Sequence, residues 1–184
     1  MALNKQDLIN GFCKAGINKG DEIEVHSSLS SFGYVDGGAE TVISALKKAV
    51  GDNGSIFMPA LRLSPELPLT EEDKKAGITS KIKILPENRM HSAMGIIADT
   101  FRMMPDTVTG DGIFAVSGWG RNANEAGEPP VKPWYSIQTQ AYEKGLIREG
   151  YIGSCKYMCF GIWDVVSLYR QALETDPPEL YGLR

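Results

Sequence analysis

The chain has 184 residues, of which 42% are hydrophobic and 23% are charged, and its formal net charge is −4 at pH 7. This length is enough for one domain with a sizeable core, and the composition is that of a globular protein. The sequence contains no basic run, which argues against a nucleic-acid partner because phosphate binding depends on clustered Lys and Arg.

Membrane and metal functions are also disfavoured. No apolar run approaches the roughly 18 residues that a bilayer-spanning helix needs, and the N-terminal residues lack the basic start and apolar block of a signal peptide. Three cysteines at uneven spacing do not make a disulfide framework, and Cys155 and Cys159 have no histidine or acidic residue at ligand spacing. We therefore expect a cytoplasmic protein without a metal and without membrane association.

The N-terminal third follows a helix–strand–helix–strand pattern. Asn4 is a good N-cap for a first helix with apolar residues at helical spacing. Residues 21–25 alternate like a strand, a second amphipathic helix begins at Gly38, and residues 55–58 form a short apolar strand. A strand, a helix and a strand in this order predict a βαβ unit with two parallel neighbouring strands.

The rest of the chain is less regular. Residues 60–90 are rich in proline and charge and predict an excursion with a short helical turn and a short strand. Ser92 is expected to cap a helix, and residues 113–116 to form a strand that carries Ser117 at its end. Residues 122–133 have three prolines and no periodicity, which predicts a linker or surface loop. The last predicted elements are a helix over 134–144, a strand over 151–160 and a helix over 163–174.

These elements predict one α/β domain over residues 1–184, with a central mixed or parallel sheet and flanking helices. The most informative segment is the polar loop between the first strand and the second helix. Helix starts carry unpaired N–H groups and partial positive charge, which suits an anionic ligand such as a diphosphate, and glycine permits close approach. A plain strand–loop–helix connection explains the loop equally well, and neither common glycine-rich phosphate motif is present. Its notable residues are His26, Ser27, Ser28, Ser30, Ser31, Gly33, Gly37 and Gly38.

The two histidines differ in how well their positions suit a functional role. His26 follows the first strand at its carboxyl end, where functional groups gather in α/β sheets, and a neutral imidazole there could accept a proton from an amine. The alternative is a histidine that bonds loop carbonyls and organises the turn. His91 precedes a helix and is better explained as a solvated residue. A serine hydrolase has little support, because Ser117 lacks the G-x-S-x-G surroundings of a nucleophile elbow.

Several motifs together resemble the aminoglycoside 3-N-acetyltransferase family. They lie at residues 25–43, 54–59, 94–105, 116–120 and 145–153. The resemblance implies an antibiotic N-acetyltransferase-like fold and transfer of acetyl from acetyl-CoA to an amine of an aminoglycoside or another amino sugar. In that family the serine loop is associated with the pantetheine and diphosphate of CoA. The protein could also form a homodimer. The implied CoA-binding residues are His26, Ser27, Ser28, Leu29, Ser30, Ser31 and Gly33, with Ser117 as a further contact and His26 as the catalytic candidate.

The chain departs from the family pattern at one important place. Family members are longer and carry a Ser/Thr-x-x-His-x-x-Glu-like segment, with the catalytic His and acid, where residues 122–133 stand here. Neither histidine supplies that spacing, since Leu29 follows His26 by three positions and Met94 follows His91. Three explanations stay open. An internal segment is missing from this sequence, a natural deletion has left a CoA-binding protein with weak or no activity, or another residue, His26 foremost, acts as the base.

Overall fold

The computed structural model describes residues 2–110, 112–113, 115–120 and 135–175, and residues 122–133 lie outside them. The helices are α1 (Lys5–Ala15), α2 (Gly38–Val50), α3 (Glu71–Lys75), α4 (Gly95–Arg102), α5 (Tyr135–Glu143) and α6 (Ile162–Thr175), with a 3₁₀ turn at Leu29–Phe32. The strands are β1 (Glu22–Glu24), β2 (Ser55–Pro59), β3 (Val108–Thr109), β4 (Val116–Gly120), β5 (Arg148–Ile152) and β6 (Cys155–Cys159). Within these ranges no helix is long and apolar enough to cross a membrane.

Among the described residues, four strands form a mixed sheet in the order β1-β2-β4-β3. Strands β1 and β2 are parallel, with Glu22 opposite Ser55, which confirms the predicted βαβ unit. Strand β4 is antiparallel to both β2 and β3. The expected α/β fold with a mixed sheet and flanking helices is therefore confirmed.

The main core lies between this sheet and helices α1, α2 and α4. Helix α2 shows how the sequence builds it, because Val42, Ile43, Leu46 and Val50 recur at helical spacing and are each no more than 2% exposed. Burying each such side chain contributes about 1.5–3 kcal/mol. These residues fix α2 to the core directly after the serine loop.

The predicted start of α1 is also confirmed. The Asn4 side chain accepts hydrogen bonds from the backbone N–H groups of Gln6 and Asp7, and the Asp7 carboxylate accepts one from the Asn4 backbone N–H.

A second apolar cluster joins α5 to α6 through Ile137, Ala141, Val165, Leu168 and Ala172. The expectation of one domain over the whole chain stays a prediction.

Three local expectations were wrong. The strand predicted over residues 151–160 is a hairpin, in which β5 and β6 are antiparallel and Ile152 lies opposite Cys155. The turn consists of Gly153 and Ser154, and glycine permits the φ of +60° at its first position. A Gly-Ser pair between strand-like residues is itself a turn signal. The prediction of one continuous strand overlooks this turn signal.

The other two differences concern element boundaries. Strand β4 begins at Val116, so Ser117 lies inside the strand instead of at its end. Helix α4 begins at Gly95 and has Met94 at its N-cap position, without a side-chain cap. Ser92 lies outside the helix and hydrogen-bonds to Asp99, on α4 itself.

Candidate functional site

A groove of about 600 Å³ lies between the loop that follows β1 and the segment that leads into α4. We call residues 27–33 the serine wall and residues 93–96, at the start of α4, the helix wall. The serine wall contributes Ser27, Ser28, Leu29, Ser30 and Gly33 to the lining, and the helix wall contributes Ala93, Met94, Gly95 and Ile96. The lining therefore combines three serines on one wall with mostly apolar residues on the other.

The serine wall is attached to the fold at both of its ends. Just before it, the Val25 N–H donates to the carbonyl of Phe57 at 2.8 Å, which continues the pairing of β1 with β2. Near its other end, Phe32 is 6% exposed and joins the main core. Between these anchors, the Ser28 and Ser30 hydroxyls lie 3.0 Å apart.

A distant part of the chain also holds the serine wall. The Ser154 hydroxyl, in the β5–β6 turn, donates to the carbonyl of Ser31 at 2.7 Å. Gly33 has a φ of +77°, and a Cβ at this position would lie 3.2 Å from the Ser154 hydroxyl oxygen. The hairpin turn therefore fits closely against a residue without a side chain.

The helix wall has its own glycine, at the start of α4. Gly95 has a φ of +84°, and a Cβ there would stand 4.0 Å from the carbonyl oxygen of Ser27, on the opposite wall. Any longer side chain at this position would narrow the groove. The sequence predicts a helix here and a family motif, but Gly95 was not singled out, although a glycine at a helix start is a signal for close approach.

The predicted CoA-binding residues are partly brought together. Ser27, Ser28, Leu29, Ser30 and Gly33 line the groove, whereas His26 and Ser31 are not among its lining residues. Ser117 is fully buried inside β4, and its hydroxyl lies 2.8 Å from that of Thr109. The role of Ser117 as a further contact stays a prediction.

His26 is paired with a carboxylate that sequence reasoning missed. Its Nε2 lies 3.1 Å from Oε1 of Glu24, and both side chains are more than half exposed. The hydrogen bond to Glu24 raises the pKa of His26 above its ordinary value, and the same bond lowers the pKa of Glu24. Alternation along a strand could have identified the pair, because residues two apart point to the same side.

The described ranges contain no group of three or more His, Cys, Asp or Glu side chains arranged to hold a metal ion. The candidate site consists of the groove, with serine hydroxyl groups on one wall and Gly95 on the other, and of a histidine–carboxylate pair that adjoins Ser27 in sequence and lies outside the groove lining. These groups can hold an extended ligand and move a proton.

Comparison with known proteins identifies the class. A family model described as aminoglycoside 3-N-acetyltransferase matches residues 25–132, more than half of the chain, and the groove is built from residues in this range. The chain belongs to the aminoglycoside 3-N-acetyltransferase family, as the sequence motifs indicated.

Individual relatives agree with this assignment. The SPbeta prophage-derived aminoglycoside N(3')-acetyltransferase-like protein YokD of Bacillus subtilis is 30% identical over 133 residues, which cover 66% of this chain and 48% of YokD. In sequence, the chain spans about half or less of the length of the curated relatives it matches.

Two solved structures share the fold. A mutant of aminoglycoside acetyltransferase AAC(3)-IVa in complex with apramycin gives a TM-score of 0.72 at 18% identity, over 97% of this chain and 96% of that chain. AAC-IIIb in a binary complex with CoASH gives a TM-score of 0.70 at 15% identity, over 97% of this chain and 100% of that chain. At these identities the likeness concerns the fold.

Proposed function

We propose that this protein is an acetyl-CoA-dependent N-acetyltransferase acting on an amine of an aminoglycoside or a similar amino sugar. The observation that carries the proposal is the groove between the serine wall and the helix wall. Membership of the family and the CoASH-bound AAC-IIIb neighbour support acetyl-CoA as the donor. The apramycin-bound AAC(3)-IVa neighbour supports an aminoglycoside as the acceptor.

The lining of the groove suits the pantetheine arm of CoA, which carries amide groups along an otherwise apolar chain. The hydroxyls of Ser27, Ser28 and Ser30 would bond the polar groups of this arm, while Leu29 and Met94 would contact its apolar part. Gly95 leaves room for the arm where the two walls approach each other. The residues present therefore fit the donor.

In the proposed reaction the acceptor nitrogen attacks the thioester carbonyl carbon. A C–N bond forms, the C–S bond breaks, and the proton lost by the amine ends on the released thiol. Holding the two reactants together supplies much of the rate, and no covalent enzyme intermediate is needed. The products are the N-acetylated amine and CoA.

His26 is the proposed proton carrier. With Nε2 bonded to Glu24, the lone pair of Nδ1 is free to accept the amine proton and pass it to the leaving sulfur. Glu24 would fix the orientation of the ring and stabilise its protonated form, as carboxylates do beside catalytic histidines. This role is separate from the binding role of the serines.

Calorimetric titration with acetyl-CoA tests the binding part. The double variant Ser27→Ala/Ser28→Ala should weaken binding by about three- to tenfold for each hydrogen bond lost. The matched control is Ser167→Ala on α6, whose hydroxyl bonds the carbonyl of Trp163 within its own helix. Absence of acetyl-CoA binding at millimolar concentration, or full affinity in the double variant, would refute the proposed site.

Thiol release from acetyl-CoA with a panel of aminoglycosides, apramycin included, tests the transfer. His26→Gln should lower kcat by about 10²–10⁴-fold while leaving the acetyl-CoA affinity nearly unchanged. Glu24→Gln should move the acidic limb of the pH–rate profile to lower pH, because it replaces the charged carboxylate, whose bond raises the pKa of His26, with a neutral amide. Full turnover in His26→Gln would exclude this histidine as the base.

A second candidate is a CoA-binding member of the family with little or no activity. The observation in its favour is that neither histidine is followed by glutamate at the third position. Acetyl-CoA binding without thiol release across the acceptor panel would favour this candidate. Measurable turnover would exclude it.

A further inference from the structure

A buried carboxylate lies behind the helix wall. Asp99, on α4, is 2% exposed, and its two oxygens accept both donors of Ser92. The backbone N–H of Ser92 donates to Oδ2 at 2.6 Å, and its hydroxyl donates to Oδ1 at 2.9 Å. Ser92 is 7% exposed and directly precedes the wall. One carboxylate thus fixes both the backbone and the side chain of the residue next to the groove.

The same hydrogen bonds continue into the wall. The Met94 N–H donates to the Ser92 hydroxyl oxygen at 3.2 Å, and the Gly95 N–H donates to the Ser92 carbonyl at 3.3 Å. Ala93 is held separately, through a 2.8 Å bond from its N–H to the carbonyl of Leu63. Two groove-lining residues therefore depend directly on Ser92, and Ser92 depends on Asp99.

The buried carboxylate of Asp99 also has a charged partner. A charge without partners is costly to bury, and here Arg102 supplies the compensation, with its Nε 3.2 Å from Oδ1 of Asp99. The Arg102 side chain is 8% exposed and also donates to the carbonyl of Arg89. Within the described part of the chain, no side chain caps the start of α4, so the hydrogen bonds of Ser92 and Asp99 hold its first residues in place instead.

We propose that Asp99 is a positioning residue that acts through Ser92 to hold the helix wall in the shape that binds acetyl-CoA. This inference rests on the proposed function. Asp99 does not line the groove, so its effect on the ligand is indirect. If the wall is already ordered in the free protein, binding does not have to pay the entropy of ordering it. The affinity for the ligand is then higher by that free energy.

The experiment compares wild type with Asp99→Asn by hydrogen exchange of the free protein and by acetyl-CoA calorimetry well below the melting temperature. The amides of Ser92 and Met94 should exchange about two- to tenfold faster in the variant, because a supporting bond is lost. The dissociation constant for acetyl-CoA should rise by about five- to thirtyfold, the equivalent of ordering roughly one residue on binding. The kcat at saturating acetyl-CoA should change less than KM.

The control is Asp106→Asn, which breaks a charged contact just beyond the other end of α4. There the Asp106 carboxylate accepts from Lys47 at 2.7 Å and from Trp119 at 2.8 Å, outside the groove lining. This variant should lose stability without changing the acetyl-CoA affinity. If Asp99→Asn does not fold, Ser92→Ala takes its place, because it removes the hydroxyl and leaves the Asp99–Arg102 pair intact.

The outcomes separate this inference from the proposed function. If wild type does not bind acetyl-CoA, the proposed function fails and the affinity claim fails with it, whatever the exchange data show. If wild type binds, the inference requires both faster wall exchange and weaker binding in the variant. Unchanged affinity, unchanged exchange at the wall, or an equal loss of affinity in Asp106→Asn would each overturn it.

Discussion

The two walls of the groove are held in place by different means. Besides its anchors at Val25 and Phe32, the serine wall is held by the exposed Ser154, 123 positions from the Ser31 carbonyl that it contacts. The anchor of the helix wall is the buried Asp99, seven positions from Ser92. One wall therefore receives added support from a hairpin late in the chain, and the other depends chiefly on contacts within a short segment. The comparison separates the residues that line the groove from the residues that support them.

The largest expected effect is a loss of stability when a buried phenylalanine ring is removed, either from the serine wall or from α4, which begins in the helix wall. Phe101→Ala on α4 and Phe32→Ala in the serine wall should each lower the free energy of unfolding by about 3–5 kcal/mol, since both rings are buried. Urea denaturation followed by circular dichroism measures the loss. The two rings are matched in kind, so a much smaller loss for Phe32→Ala would mean that the serine wall is less firmly attached to the core.

The two groove glycines should differ when each is changed to alanine. Gly33 has φ +77° and ψ −143°, close to a region open essentially to glycine alone, so Gly33→Ala should cost about 1–3 kcal/mol. Gly95→Ala should cost about 1–2 kcal/mol, because only its left-handed φ is unfavourable and its Cβ has space.

Thermal unfolding ranks these two glycine variants, and Gly33→Ala should have the lower melting temperature. Its Cβ would also press on the Ser154 hydroxyl at 3.2 Å, so exchange should rise in the serine wall. The reverse ranking would show that backbone strain at Gly95 matters more than the hairpin contact at Gly33.

A smaller effect is expected from Ser154→Ala, which removes the hydrogen bond to the Ser31 carbonyl. The loss in stability should be about 0.5–1.5 kcal/mol, near the lower end because Ser154 is exposed. Hydrogen exchange should rise at residues 29–33 and stay unchanged at residues 93–96. Increased exchange in both walls would show that they are coupled and would end the distinction between them.

The smallest effect on stability is expected from the exposed Glu24–His26 pair at the base of the serine wall. Its contribution needs a charged His26, whose pKa the bond raises, and a charged Glu24, whose pKa it lowers. The contribution is therefore lost as pH rises through the pKa of His26 in the folded protein, and as pH falls through that of Glu24.

Nuclear magnetic resonance can follow this pair directly, because the chain has only two histidines. In Glu24→Gln the pKa of His26 should fall, while the signals of His91 serve as an internal control. An unchanged titration of His26 in this variant would mean that Glu24 does not bond the imidazole in solution.

Much of the fold could be predicted from the sequence. Periodicity located α2 and the first two strands, and the capping pattern at Asn4 located the start of α1. The hairpin turn at Gly153 was missed because the aromatic and apolar residues on both sides resemble a single strand. Local patterns of this kind identify strand-forming residues better than they locate the turn between them.

The groove was predicted on one side only. The serines and Gly33 were identified because they are close together in sequence and resemble a family motif. The helix wall was not predicted to line a groove with the serines, since nothing local connects residues 93–96 with residues 27–33. Glu24 was missed beside His26 because it was treated as a strand residue without reference to side-chain direction.

The sequence by itself determined the family, the α/β elements and one side of the groove, because each of these is written in residues that are near neighbours along the chain. Only the tertiary structure decided that α4 supplies the other side, that Ser154 supports the serine wall, and that both Ser92 donors meet one buried carboxylate. The physical reason is that burial and hydrogen-bond geometry depend on how separate elements pack, and local spacing does not specify that packing.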